Sequence, residues 1–128
     1  MNLMQHFAEH MEFCGLGVLS TAEQEGNIFW GFMPDHPDFS ICVYSSDTGV
    51  PGSESGARLQ VLVRAKTTKQ SYEKSQEIAE TLLDFDGFLH GDGPQVEIET
   101  INASQGLGQD DKRREMFVSN YRVRYCNY

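Results

Sequence analysis

The sequence predicts an α+β fold: a mainly antiparallel sheet of about five or six strands with two helices packed on one face, in a single domain covering 1–128. Three observations predict it. Two stretches repeat apolar residues at helical spacing, several others alternate apolar and polar residues, and the turns between them are short enough to favour antiparallel neighbours. At 128 residues the chain can bury one substantial core but hardly two.

The first helix is expected over residues 2–14. Leu3, Met4, Phe7, Ala8 and Met11 share a face, Asn2 is placed to cap the start, and Gly15 and Gly17 end it. Leu16, Val18 and Leu19 then lead through the polar turn TAEQEGN into NIFWGFMP, which reads as a strand stopped by Pro34, the two segments forming a hairpin. After the turn DHPD, Phe39, Ile41 and Val43 alternate with Ser40, Cys42 and Tyr44 in the next strand. Residues 47–56, DTGVPGSESG, combine turn formers with little apolar content and are expected to form an exposed loop.

Leu59, Val61, Val63 and Ala65 define the inner face of a further strand, with Arg58, Gln60, Arg64 and Lys66 opposite. Thr67 or Thr68 caps a second helix, whose Tyr72, Ser75, Ile78, Ala79, Leu82 and Leu83 form the inner stripe, and which ends near Asp86 and Gly87. Beyond the HGDGP turn a strand carries Val96 and Ile98 inward and Glu97 and Glu99 outward to about Ala103, followed by a polar loop. Met116–Tyr125 gives the longest strand signal, with Phe117, Tyr121, Val123 and Tyr125 on one face and Val118, Asn120, Arg122 and Arg124 on the other. The expected order is therefore α-β-β-β-β-α-β-β.

Charge narrows the function classes. Nineteen acidic against ten basic residues give a formal charge of −9, which opposes adhesion to nucleic acid or an anionic membrane. No apolar run reaches the length of a membrane span, and MNLMQHFAEH lacks the pattern of a signal peptide, so a cytoplasmic chain is expected. Cys14, Cys42 and Cys126 are odd in number and flanked by apolar residues, which reads as buried free thiols.

No catalytic, cofactor-binding or metal-binding set is predicted. His6 and His10 stand one helical turn apart with Glu9 between them, but the sequence pattern supplies no third ligand. His36 within PDHPD and His90 within HGDG are each explained by turn chemistry; a small hydrolase using either with nearby aspartates is the alternative from the enzyme class. There is no GxSxG elbow, and the glycines of GLG and GLGQDDK match neither a phosphate loop nor a dinucleotide fingerprint.

Arg58, Arg64, Lys66, Arg122 and Arg124 are the most informative charges, because two strands display them outward in an otherwise acidic chain. They make either a solvated face balanced by Glu97 and Glu99 or a subunit interface. The apolar strand IFWGFM likewise favours partners, leaving a non-viral adaptor domain with a peptide-accepting sheet edge as a further alternative.

The order of segments resembles the phage minor capsid and tail terminator proteins over nearly the whole chain. The resemblance is carried by the leading helix, by FSICVYSS with the loop DTGVPGSESG, by LQVLVRAK running into KQSYEKSQEIAETLLDF, and by the ending GLGQDDKRREMFVSNYRVRY. Its distinctive points are Arg64, the turn from Gly108 to Arg113, and Ser119-Asn120-Tyr121. It implies a virion structural protein at the head-tail junction, assembled in the host cytoplasm as a hexameric ring. Such a ring caps the tail tube protein and offers a docking surface to the head-tail connector protein, while DNA passes through without specific binding. The interface residues so implied are Arg58, Arg64, Arg122 and Arg124, with Val50, Ser53 and Glu54 in the exposed loop.

Overall fold

The computed structural model describes residues 2–45, 57–90 and 93–126. The expected loop 47–56, with Val50, Ser53 and Glu54, lies outside the described residues. Helix α1 spans Leu3–Phe13 and α2 spans Thr68–Leu82. The strands are β1 (Ile28–Trp30), β2 (Ser40–Ser45), β3 (Ala57–Ala65), β4 (Asp86–Phe88), β5 (Gln95–Gln109) and β6 (Glu115–Tyr125), arranged β1-β2-β3-β6-β5-β4 in one sheet. All neighbours are antiparallel except β1 and β2. The protein is thus α+β, as the alternation predicts.

The caps are those read from sequence. Asn2 accepts a hydrogen bond from the Gln5 amide at 2.8 Å, and Thr67 accepts one from the Gln70 amide at 3.1 Å, each satisfying a donor the first turn leaves without a helical partner. At the other end of α1, the Gly15 amide donates to Glu12 and the Leu16 amide to Met11, with Gly15 at φ 79°. That is the left-handed exit glycine tolerates best.

Both helices lie on one face. Leu3, Phe7, Ala8 and Met11 of α1 and Ile78 and Leu82 of α2 join Ile41, Val43, Leu59, Val61, Val63, Val96, Ile98, Tyr121 and Val123 in a single buried cluster. Buried Ser71 and Ser75 let α2 sit close to the sheet, because a hydroxyl satisfies itself on backbone or on another serine where a larger side chain would hold the helix away. The Ser71 hydroxyl donates to the Val63 and Glu115 carbonyls, both at 3.1 Å.

Four expectations are corrected. The segment before β1 makes no antiparallel hairpin: Leu19 forms an isolated parallel bridge to Ile28, and β1 pairs in parallel with β2. The second helix stops at Leu82, which leaves Leu83 61% exposed, and a short β4 follows instead of more helix; Tyr72, near the helix start, packs edge-on against Phe117 and is 45% exposed. The polar stretch after Ala103 continues β5 to Gln109, since three register shifts let irregular residues stay paired with β6. Of the three thiols only Cys42 is buried, whereas Cys14 is exposed and Cys126 intermediate. Flanking apolar residues report burial poorly at a helix end or a strand end, where the chain is leaving the core.

Candidate functional site

The outer face of the sheet carries the predicted arginines, but not all of them reach solvent. Arg58 is exposed and stands directly opposite Arg122 in the β3–β6 register. Arg122 and Arg124 lie opposite Glu99 and Glu97 on β5, and Glu99 engages both guanidinium groups, at 3.5 and 3.6 Å. Arg58 makes no ion pair among the described residues. Opposed like charges destabilise a sheet, so this placement costs the isolated chain stability.

Arg64 does not belong to that exposed set, and its outward display is corrected here. Alternation puts it on the outer face, but residues 31–39 fold back across that end of the sheet and bury it to 5% exposure. Its guanidinium donates to the carbonyls of Pro34 (2.9 Å), Asp35 (3.3 Å), Pro37 (2.7 Å) and Asp38 (3.3 Å), and to the Ser40 hydroxyl (3.3 Å). Burial lowers its pKa, although it stays charged. The same fold-over buries the Cys42 thiol, whose pKa is pushed up to about 11 chiefly by desolvation.

A second arginine, which sequence reasoning missed, closes this buckle from the other side. Arg114 is held by Asp110 (2.8 Å) and donates to the Asp35 carbonyl (2.6 Å), the Asp35 carboxylate (2.9 Å) and Asp38 (3.3 Å). Lys112 also bonds Asp35, and Lys66 lies 3.4 Å from Asp38. These cations hold all three carboxyl pKa values low: Asp35 through its hydrogen bond to Lys112 first, Asp38 and Asp110 despite a desolvation that would raise them. The turn from Gly108 to Arg113 is thus an anchor, with Arg113 itself exposed at φ 61° and Arg114 the residue that acts. The available signal was Asp110 four residues before an arginine, but nothing in the sequence indicated that PDHPD would meet it.

Ser119-Asn120-Tyr121 also acquires local roles. The Ser119 hydroxyl accepts from the Ser104 amide at 2.9 Å, holding the β5 bulge where Ser104 has φ 55°. Asn120 donates to Asn102 across the ladder at 2.7 Å, and Tyr121 is fully buried beside Phe7.

The histidines assemble differently from their sequence spacing. His6 and His10 do not act as a pair. Instead His90, 84 residues from His6, places its Nε2 3.3 Å from His6 Nδ1 and 3.3 Å from the Glu9 carboxylate. These three donor atoms lie within 4.8 Å of one another. His10 is buried and accepts a hydrogen bond from the His90 amide on its Nδ1 at 2.7 Å, which requires that nitrogen to be unprotonated. Burial, and secondarily the nearby His90, lower the pKa of both His10 and His6. His36 lies away from all of this, exposed and 3.7 Å from Asp35.

Among the described residues, then, the predicted enzyme candidates His36 and His90 fall in separate places. The family model described as bacteriophage tail terminator protein matches residues 10–127, and the chain belongs to that family. It is a phage virion structural protein. No curated protein matches it. One solved structure is similar at 18% identity over 80% of this chain and 82% of that one, with a TM-score of 0.41.

Proposed function

We propose that this tail terminator acts as a ring, in which one edge of the sheet of each copy meets the opposite edge of the next. The observation that carries this reading is that the two edges differ and that each shows apolar side chains to solvent. Beyond the bridge at Ile28, no strand among the described residues pairs with the outer side of β1, where Trp30 is 38% and the following Phe32 71% exposed. At the other edge β4 pairs only with β5, and Phe88 is 57% exposed. Two unlike, complementary edges make a heterologous contact, and such contacts close into rings. A hexamer is the closure expected for this family resemblance.

In that ring Arg58, Arg122 and Arg124 form a basic stripe that stacks on an acidic surface of the tail tube protein or the head-tail connector protein. Stacking offsets the repulsion between Arg58 and Arg122. The loop holding Val50, Ser53 and Glu54 joins β2 to β3 and belongs to the same proposed contact. With a charge of −9 on each copy, the ring lets DNA pass without holding it.

The test is sedimentation of the purified chain, with negative-stain imaging, alone and on terminator-free tails. Phe88→Lys and Trp30→Glu should each abolish rings and tail capping while leaving the far-UV spectrum and thermal midpoint close to wild type. Variants that cap tails as well as wild type would overturn edge-to-edge closure.

A further inference from the structure

We propose that His6, Glu9 and His90 form a binding site for a divalent transition metal, zinc above all, which clips α1 to the turn between β4 and β5. The argument begins with donor geometry. Two ligand atoms bound at about 2.0–2.2 Å to a tetrahedral zinc lie roughly 3.3–3.5 Å apart. His90 Nε2 stands 3.3 Å from His6 Nδ1 and 3.3 Å from a Glu9 oxygen, and all three atoms fall within 4.8 Å. Two of the three separations are thus already those of a zinc site, and the third lies within 4.8 Å.

Hydrogen bonding alone satisfies this cluster poorly. His90 Nε2 either donates one proton or offers one lone pair, so of its two contacts, with His6 Nδ1 and with Glu9, one goes without a hydrogen bond. A cation at the centre would satisfy all three at once. The side chains are also withdrawn from water, at 18% exposure for His90 and 25% for Glu9, so the donors are held rather than sampled.

The surrounding structure fixes the ligands. His90 is in the left-handed region at φ 40°, a conformation that non-glycine residues adopt at some cost and that here turns its ring toward α1. The buried His10 holds the His90 amide from beneath at 2.7 Å. Gly93 leaves the metal-facing nitrogen room, since a Cβ there would lie 3.1 Å from His90 Nε2 and 2.6 Å from the Leu89 carbonyl oxygen. A ligand held by its backbone and cleared of neighbours is what a preorganised site requires.

Two histidines and a glutamate leave a fourth position for water, facing a surface cavity of 420 Å³ bordered by Glu9, Glu12 and His90. Glu12, the carboxylate nearest in sequence that could serve as a base, is already committed to the Leu19 amide (2.7 Å) and to Gln24 (3.2 Å). The assignment is a structural clip between α1 and the β4–β5 turn, the two elements that carry the ligands.

Zinc titration into the metal-free full-length chain, followed by calorimetry and thermal melting, tests this, with cobalt as a spectroscopic stand-in. One zinc per chain should bind, the thermal midpoint should rise and fall back on chelation, and cobalt should give a tetrahedral spectrum without a thiolate charge-transfer band. His6→Asn, Glu9→Gln and His90→Asn should each weaken binding by more than about tenfold, whereas His36→Ala should not change it. If His90→Asn fails to fold, the half-exposed His6→Asn and the wild-type cobalt spectrum decide. Absence of saturable micromolar binding, a thiolate band pointing to Cys14 or Cys126, or equal loss in His36→Ala would overturn the site.

Discussion

The Arg64–Arg114 buckle and the histidine cluster both pin a loop to the body of the domain, and they do so with opposite electrostatics. In the buckle, permanently charged guanidinium groups meet carbonyls and carboxylates, donor against acceptor at each contact. In the cluster, one His90 nitrogen faces both a second imidazole and a carboxylate and can make a hydrogen bond to only one of them at a time. A saturated network needs nothing further and reads as scaffold. An unsaturated set of soft and hard donors at bonding separation reads as a place for a cation.

That contrast can be broken by substitution, beginning with the largest effect. Arg64→Ala removes the guanidinium from the carbonyls of Pro34, Pro37 and Asp38 within the 31–39 segment and should destabilise the fold by about 2–4 kcal/mol in urea unfolding. No metal should restore it. His10→Ala removes a buried ring and the acceptor for the His90 amide, and should cost about 1–3 kcal/mol by the same measurement. It should also weaken the binding of zinc, separating the two regions. If Arg64→Ala proved neutral, the buckle would be an ornament of the surface and not an anchor.

Acid sharpens the comparison further. Asp35, Asp38 and Asp110 have folded pKa values below their unfolded ones, so their contribution is complete above the ordinary carboxylate range near pH 3.9 and is lost as pH falls through the lower folded values. Thermal midpoints should therefore drop steeply below about pH 4. Asp110→Asn, which removes the carboxylate nearest Arg114, should flatten that limb; an unchanged limb would place the acid sensitivity elsewhere. The smallest effect belongs to His36→Ala, expected to stay within about 0.5 kcal/mol because the ring is exposed on the buckle's outer surface.

Much of this was legible from residues alone. Helix caps at Asn2 and Thr67, the glycine exit at Gly15 and the inner faces of β3 and β6 follow from neighbours within a few positions, where local sterics and periodicity decide. The family, too, was readable, because it is written in the order of such elements. The failures have one physical character. Arg64 looked outward because alternation reports which face a residue occupies but not whether another segment crosses that face. Arg114 went unnoticed because, Asp110 apart, its carboxylate partners lie 76 and 79 residues away.

The acidic charge, the two helices, the alternating strands and the tail terminator family were determined by the sequence itself, since each depends on composition or on short-range order. Only the tertiary structure decided which polar residues meet. His6 and His10 share a helix and a spacing, yet His10 turns into the core while His6 faces a histidine from the β4–β5 turn. The sheet order, which brings that turn against α1, is set by burial of apolar surface over the whole chain and is not encoded at any one site.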